Sequence, residues 1–419
     1  MMKQYSLLNN KAAKVLFALF LTAMLFLSRD TLFSSCLLGF AKSQILMAGL
    51  ILLLGVIFLW VNRKEFLQIL KDRRMIVLIV SFLLLVMPMI LKRDWQLMYF
   101  SILLCVLTAV FLTYFTSSRE VAKYYVVILT ALGAYSLFAT YGLKYMARAD
   151  LIAPSVFYNS NDWEFFNFGL AYAVPSRLWH RNFGIFREPG VYQFFVLLAT
   201  YLNNYSVDWD KHWKLWTCNV VLAFTMLSTF ALGGYAEMGL LILFLFFDKK
   251  WYHEKWGKMA AVAFFFAIIA VIGYFFYSYY YREIEKSIFF EFYTMFVRLT
   301  TDSDSMVDRQ NAIVTNLQFL IRHPLVGDTI ANVLHGTNHN TSSTLLLYAI
   351  LGIVGGTLNV AGWIALVWNR NRKVLGNLVL LLILFLSFNT QNLVANVFFW
   401  MFPMMALVER GLPLLKKEK

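Results

Sequence analysis

The chain has 419 residues, of which 60% are apolar and only 14% charged, with a mean hydropathy of +0.64. A soluble domain carries about 25% charged residues, so this composition excludes a soluble enzyme, a disordered chain and a collagen-like fibre. The net charge of +14 does not point to nucleic acid as a partner, because the basic residues lie between apolar runs rather than on one face, where anionic lipid headgroups account for them.

Apolar runs long enough to cross about 30 Å of hydrocarbon recur along the chain. They predict an all-α, polytopic helical bundle with twelve spans, forming a single membrane domain over 1–419. The spans are Ala12–Ser28, Ser43–Val61, Met75–Leu91, Leu97–Phe115, Val121–Leu143, Gly190–Tyr205, Trp213–Thr229, Gly234–Phe247, Met259–Tyr280, Thr344–Trp368, Leu375–Phe388 and Leu393–Leu407. The first has no small-residue cleavage site behind it and reads as a retained helix. A re-entrant segment fits after Thr31. Cys36, Cys105 and Cys218 lie in or beside separate runs, with neither a disulfide framework nor a metal-ligand spacing.

Charge orients the bundle. The short loops on one side carry only Arg29, Lys42, Lys92 and Arg93. The clusters Asn62–Arg74, Asp248–Lys258, Asn369–Lys373 and Lys416–Lys419 all fall on the other. The positive-inside rule makes the richer side cytoplasmic, with both termini there. Two long segments, Lys144–Pro189 and Tyr281–Ser343, then become extracytoplasmic loops, and loops of that length usually carry function. The first is crowded with aromatics, among them Phe157, Tyr158, Trp163, Phe165, Phe183 and Phe186. The second contains an amphipathic helix marked by Ile313, Leu317, Leu320 and Ile321, behind a polar start at Thr301–Ser305 and ended by Pro324.

Candidate site residues cluster in these loops. Arg181, Gly184, Arg187, Glu188 and Gly190 run directly into the sixth span. A guanidinium suits phosphate because its fork donates paired hydrogen bonds and stays charged, and the following helix start offers free N–H groups. A lone interfacial arginine more often anchors a loop to headgroups; two of them among glycines weigh toward an anion site. Arg309 opens the amphipathic helix, where the plain alternative is a solvated face paired with Asp308 or Asp304. His335 and His339 precede the tenth span, with Asn340 beside the latter. A neutral imidazole there fits a general base, the plain alternative being a helix cap. Gly336 and Asn338 disfavour the helical turn that a two-histidine metal site would need, and no HExxH pattern is present. Glu237 is the main intramembrane carboxylate. Gly352, Gly355, Gly233 and Gly234 read as close helix packing.

Taken in order, three segments resemble the bacterial O-antigen polymerase and O-antigen ligase superfamily. They are Arg181-x-x-Gly184-x-Phe186-x-x-Pro189 before a span, Arg309 on a helix ending in His323-Pro324-Leu325-Val326-Gly327, and His339-Asn340 before a span with Gly352-x-x-Gly355. The resemblance covers about a third of the chain; elsewhere only the topology agrees. It implies an inverting, metal-independent glycosyltransferase without a cofactor, acting on the outer face of the bacterial inner membrane. Donor and acceptor would be oligosaccharides on a polyprenyl (undecaprenyl) diphosphate. The products would be O-antigen, capsule or exopolysaccharide. Membrane lipids, a chain-length regulator and other polysaccharide-assembly proteins would be its partners. By position, Arg181 and Arg309 would hold the diphosphate and His339 would deprotonate the acceptor hydroxyl, with Arg187 joining the arginines and Glu188, Asn340 and His335 in support. The Arg187-Glu188-Pro189-Gly190 variant is more similar to polymerases than to ligases. The alternatives are a ligase delivering glycan to lipid A–core or protein, and a lipid-linked glycan flippase, which would call for mid-membrane charges and two related halves.

Overall fold

The computed structural model describes residues 11–61, 73–159, 162–176, 180–253, 304–335 and 340–414, with scattered positions between 255 and 277. Among them the chain is a helical bundle. In order come α1 (Lys11–Leu27), a π-turn at Phe33–Leu37, α2 (Phe40–Val61), α3 (Arg73–Lys92), α4 (Leu97–Phe115) and α5 (Ser118–Phe138). The last of these runs through a second π-turn into α6 (Lys144–Arg148). Then follow α7 (Pro189–Tyr205), α8 (His212–Ser228), α9 (Leu232–Asp248), α10 (Asp304–Arg322), α11 (Ile330–His335), α12 (Ser343–Val367), α13 (Val374–Phe388) and α14 (Val397–Leu414).

Among the described residues, five stretches are long and apolar enough to cross a membrane: Phe40–Ile57 in α2, Arg74–Lys92 in α3, α4, Ser118–Arg148 from α5 to α6, and α12. Most helices start and end within a few residues of the expected spans. The last span begins at Val397 rather than Leu393 and continues to Leu414, and Met259–Tyr280 lies largely outside the described residues.

Two helices form the centre. On α7 nearly every side chain from Pro189 to Asn204 is buried, and on α14 the run Val397–Met405 is buried on all sides. A helix apolar all round belongs in an interior. α14 packs against α12 and α4, and α7 against α8, α5 and α9. At the periphery, α2 and α3 expose Leu52, Leu53, Ile76, Ile79 and Leu83, an apolar perimeter suited to lipid. Within lipid, close packing rather than transfer from water holds such helices; Trp363 stacked on Phe388 at 4.9 Å and Phe195 on Phe186 at 4.3 Å are examples.

Three features depart from the sequence reading. Segment 144–189 opens as helix to Arg148, so the loop starts later than expected. It then forms a three-stranded antiparallel sheet, β1 (Ser155–Tyr158), β2 (Glu164–Asn167) and β3 (Tyr172–Ala173), with Phe157 opposite Phe165. Four of its aromatics belong to the core: Phe165, Tyr172, Phe183 and Phe186 are buried, whereas Tyr158 and Trp163 are exposed.

The third departure is in α12. Gly352, expected as a packing glycine, has φ +65° and ψ −170° and breaks the helix. The segment from Pro324 to Asp328 enters the gap. Pro324 O accepts from Ile353 N–H at 2.8 Å, and Asp328 N–H donates to Ala349 O at 2.8 Å. Lys92 Nζ donates to Asp328 O at 2.9 Å and also to Ile350 O. A broken helix at membrane depth must re-satisfy its backbone groups within the protein, and this clasp does so. A Cβ at Gly352 would stand 2.2 Å from Leu325 O, so glycine is required both by φ and by space.

Candidate arginine site at one end of the bundle

The first arginine segment is fixed through its backbone. Leu32 N–H donates to Ile185 O at 2.9 Å and Arg187 N–H to Asp30 O at 3.0 Å, with Thr31 and Phe186 bridged antiparallel. The corner after α1 and the return into α7 thus form a two-sided clamp. Asn182 closes it from below: its Nδ2 donates to Ser136 Oγ and Ser228 Oγ, both at 2.9 Å, and its Oδ1 accepts from Gly184 N–H at 2.8 Å. Gly184 takes φ +55°, and a Cβ there would meet the Tyr192 ring at 2.6 Å. Pro189 then occupies the first helical turn of α7 behind an extended Glu188, an arrangement proline favours because its missing N–H has no partner there anyway.

On this frame Arg187 Nε lies 3.7 Å from Asp30 Oδ1. Asp30 is 1% exposed, and its Oδ2 accepts from Asn396 Nδ2 at 2.7 Å. Burial pushes the Asp30 carboxyl above its ordinary range, while the Arg187 guanidinium and the Asn396 amide pull it down. Arg187 is thus held at Asp30 by its backbone N–H and by a charge contact of its side chain. Glu188 is exposed and makes no side-chain cap bond.

Arg181 Nε donates to Thr229 O at 3.2 Å, at the link between α8 and α9. His180 beside it is pushed below its ordinary value by burial and by the Lys144 ammonium, and its Nδ1 lies 3.2 Å from the Tyr145 hydroxyl. Arg309 is exposed on α10, the helix that Asn316 ties to Asn340 ahead of α12. Arg181 therefore borders the start of α9, while Arg187 stands on the Asp30 side of α7.

The link between α13 and α14 ties these parts together. Thr390 Oγ1 accepts from Gln193 Nε2 of α7 at 3.2 Å, and Gln391 Nε2 lies against Gly190. Asn389 Oδ1 accepts from Ser342 Oγ and from Thr344 N–H, and Asn396 reaches Asp30. One short polar run, Asn389-Thr390-Gln391-Asn392, with Asn396 four residues on, thus touches the start of α7, the start of α12 and the corner after α1.

His339, the expected general base, lies outside the described residues. Its neighbour Asn340 is buried and exchanges two hydrogen bonds with Asn316 of α10, at 3.0 and 2.8 Å. His335 ends α11 exposed. The structure brings Arg181, Arg187, Glu188, Arg309 and Asn340 to one end of the bundle, around the starts of α7, α9 and α12.

The sequence reading missed Asp30, Asn396, Asn182 and the 389–396 link. The available signals were a carboxylate in an apolar corner and a run of amides between two apolar spans. Polar side chains among apolar runs mark sites where the fold brings hydrogen-bonding partners together. Compared with models of known families the chain matches none, and no curated protein matches it.

Proposed function

We propose that the chain is a membrane glycosyltransferase that joins polyprenyl-diphosphate-linked oligosaccharide repeat units at the extracytoplasmic end of a twelve-span bundle. The observation that carries this reading is that Arg187, through Asp30 and Asn396, and the start of α12 beside Asn340, through Ser342 and Asn389, meet at the polar 389–396 link, with Arg181 at the start of α9. Basic groups anchored on helix starts, with no nucleotide motif in the sequence, suit a substrate whose leaving group is a diphosphate already attached to lipid.

In the proposed step the acceptor hydroxyl oxygen attacks the anomeric carbon of the donor. The bond from that carbon to the diphosphate oxygen breaks, with inversion, and the electron pair leaves on the diphosphate. The hydroxyl proton passes to the His339 imidazole. Arg181, Arg187 and Arg309 neutralise the departing charge, which is greater in the transition state than in the ground state and so lowers the barrier. The energy of the new glycosidic bond comes from the sugar–diphosphate bond, and neither ATP nor a metal is consumed. Asn340, held by Asn316, fixes the chain next to the base.

The test uses the purified full-length chain in liposomes with lipid-linked repeat units and no ATP, reading chain length on a gel. Wild type is expected to form polymer. His339→Ala and His339→Gln are each expected to lose about 10²–10⁴-fold in rate. Movement of the lipid-linked unit across the bilayer without lengthening would overturn the transferase reading in favour of a flippase. Polymer at wild-type rate in both variants would remove His339 as the base.

A further inference from the structure

At the opposite ends of α7, α12 and α14, next to the first turn of α5, lies a cavity of about 220 Å³ whose walls include Arg119, Arg372 and Arg410. Among the described residues Glu409 is the one carboxylate on its wall, and it is already engaged: it accepts from Ser118 N–H at 2.6 Å and from Ser118 Oγ at 2.5 Å. Arg372 is pre-set, with Nε and Nη2 donating to Asp248 at 3.1 and 3.3 Å and its guanidinium 4.5 Å from the Tyr205 ring centre. Arg410 donates to Trp368 O. Arg119 pairs with Asp208 at 3.2 Å, but these side chains are 75% and 88% exposed, and exposed pairs contribute little. A guanidinium carries five N–H donors: Arg372 spends three, the third from Nη1 to Asn377 Oδ1 at 3.3 Å, while Arg119 and Arg410 each spend one on the bonds named and keep donors for a ligand.

We propose that this cavity binds a phosphate group. Arginine forks match phosphate oxygens geometrically, and basic pockets between helix ends are where anionic headgroups dock. The cavity has room for a phosphate and the first atoms of an ester. The shared chemistry has two sources, the phosphodiester of an anionic lipid and free inorganic phosphate. The site is separate from the arginine end of the bundle and does not depend on the transferase reading.

The test places the full-length chain in nanodiscs of phosphatidylcholine, with and without phosphatidylglycerol, and counts retained lipid by native mass spectrometry. Calorimetry with inorganic phosphate is run on the phosphatidylcholine sample. The variant is Arg119→Gln with Arg410→Gln, which leaves the Arg372–Asp248 pair intact; the control is Arg93→Gln, an exposed arginine at the other end of α3. Wild type and control are expected to retain phosphatidylglycerol over phosphatidylcholine, and the double variant to lose about tenfold in occupancy, the equivalent of one or two charge-assisted hydrogen bonds. The same dependence with inorganic phosphate alone assigns the site to a soluble anion. Retention of neither probe, or an equal loss in Arg93→Gln, overturns the proposal.

Discussion

The two loop segments that carry the candidate arginines are held in contrasting ways. In the return segment before α7, the clamp and the functional side chain coincide: the Arg187 N–H is itself part of the backbone pairing with Asp30, and the same aspartate holds the guanidinium. In the second segment they are apart. The backbone clasp lies at Pro324–Asp328 in the break of α12, while Arg309 lies fifteen residues earlier on α10, roughly 22 Å away along a helix. Arg309 makes no hydrogen bond or ion pair among the described residues. The first arginine is fixed locally; the second is carried on a lever whose fulcrum is the clasp and whose mid-point support is the Asn316–Asn340 pair.

This contrast breaks most severely at the fulcrum. Gly352→Ala puts a Cβ into Leu325 O and forces an alanine to φ +65°, with an expected loss of about 2–4 kcal/mol, seen as a lowered thermal midpoint in detergent. Because α10 runs directly into the clasp, chain extension is expected to fall beyond what the loss of folded protein explains. Unchanged stability would mean that α12 closes over the break without strain.

At the fixed arginine, Asp30→Ala is expected to cost on the order of 2 kcal/mol in stability, less than a fully buried pair because Arg187 is half-buried. Asp30→Asn keeps the hydrogen bond with Asn396 but not the charge. It is expected to raise the KM for the lipid-linked donor more than it lowers kcat, since it frees Arg187 without removing it. An equal effect from Asp30→Asn and Asp30→Ala on KM would show that charge alone positions the arginine.

The mid-point support is tested by a double-mutant cycle. Asn316→Ala and Asn340→Ala each leave a buried amide without its partner, costing about 1–3 kcal/mol. The double variant is expected to cost less than their sum by about 1 kcal/mol or more. Additive losses would mean that the pair is not a support for α10.

The smallest expected effect is at His180, beside Arg181. Its folded value lies below the ordinary 6.5, so the folded state binds fewer protons than the unfolded chain between those values. Stability is therefore expected to decline as pH falls below 6.5 and to level off once the folded value is passed. His180→Gln is expected to flatten that slope, read as thermal midpoint against pH.

Much of the helical frame was legible in the chain because apolar runs have a length set by the membrane, and Leu97–Phe115 matches α4 residue for residue. Amphipathic spacing likewise located α10 and Pro324 its end. The arginines, Glu188 and Asn340 were legible as residue types that stand out against apolar surroundings. The partners that give them a geometry were not. Asp30 meets Arg187 from 157 positions away in sequence and Asn396 from 366. Gly352 reads identically as a packing glycine or a helix break until Pro324–Asp328 is seen to fill the gap. Local sequence fixes which segments can be helices, because backbone hydrogen bonding and side-chain periodicity are local. Which buried polar groups satisfy one another depends on contacts between distant segments, and those exist only once the helices have packed.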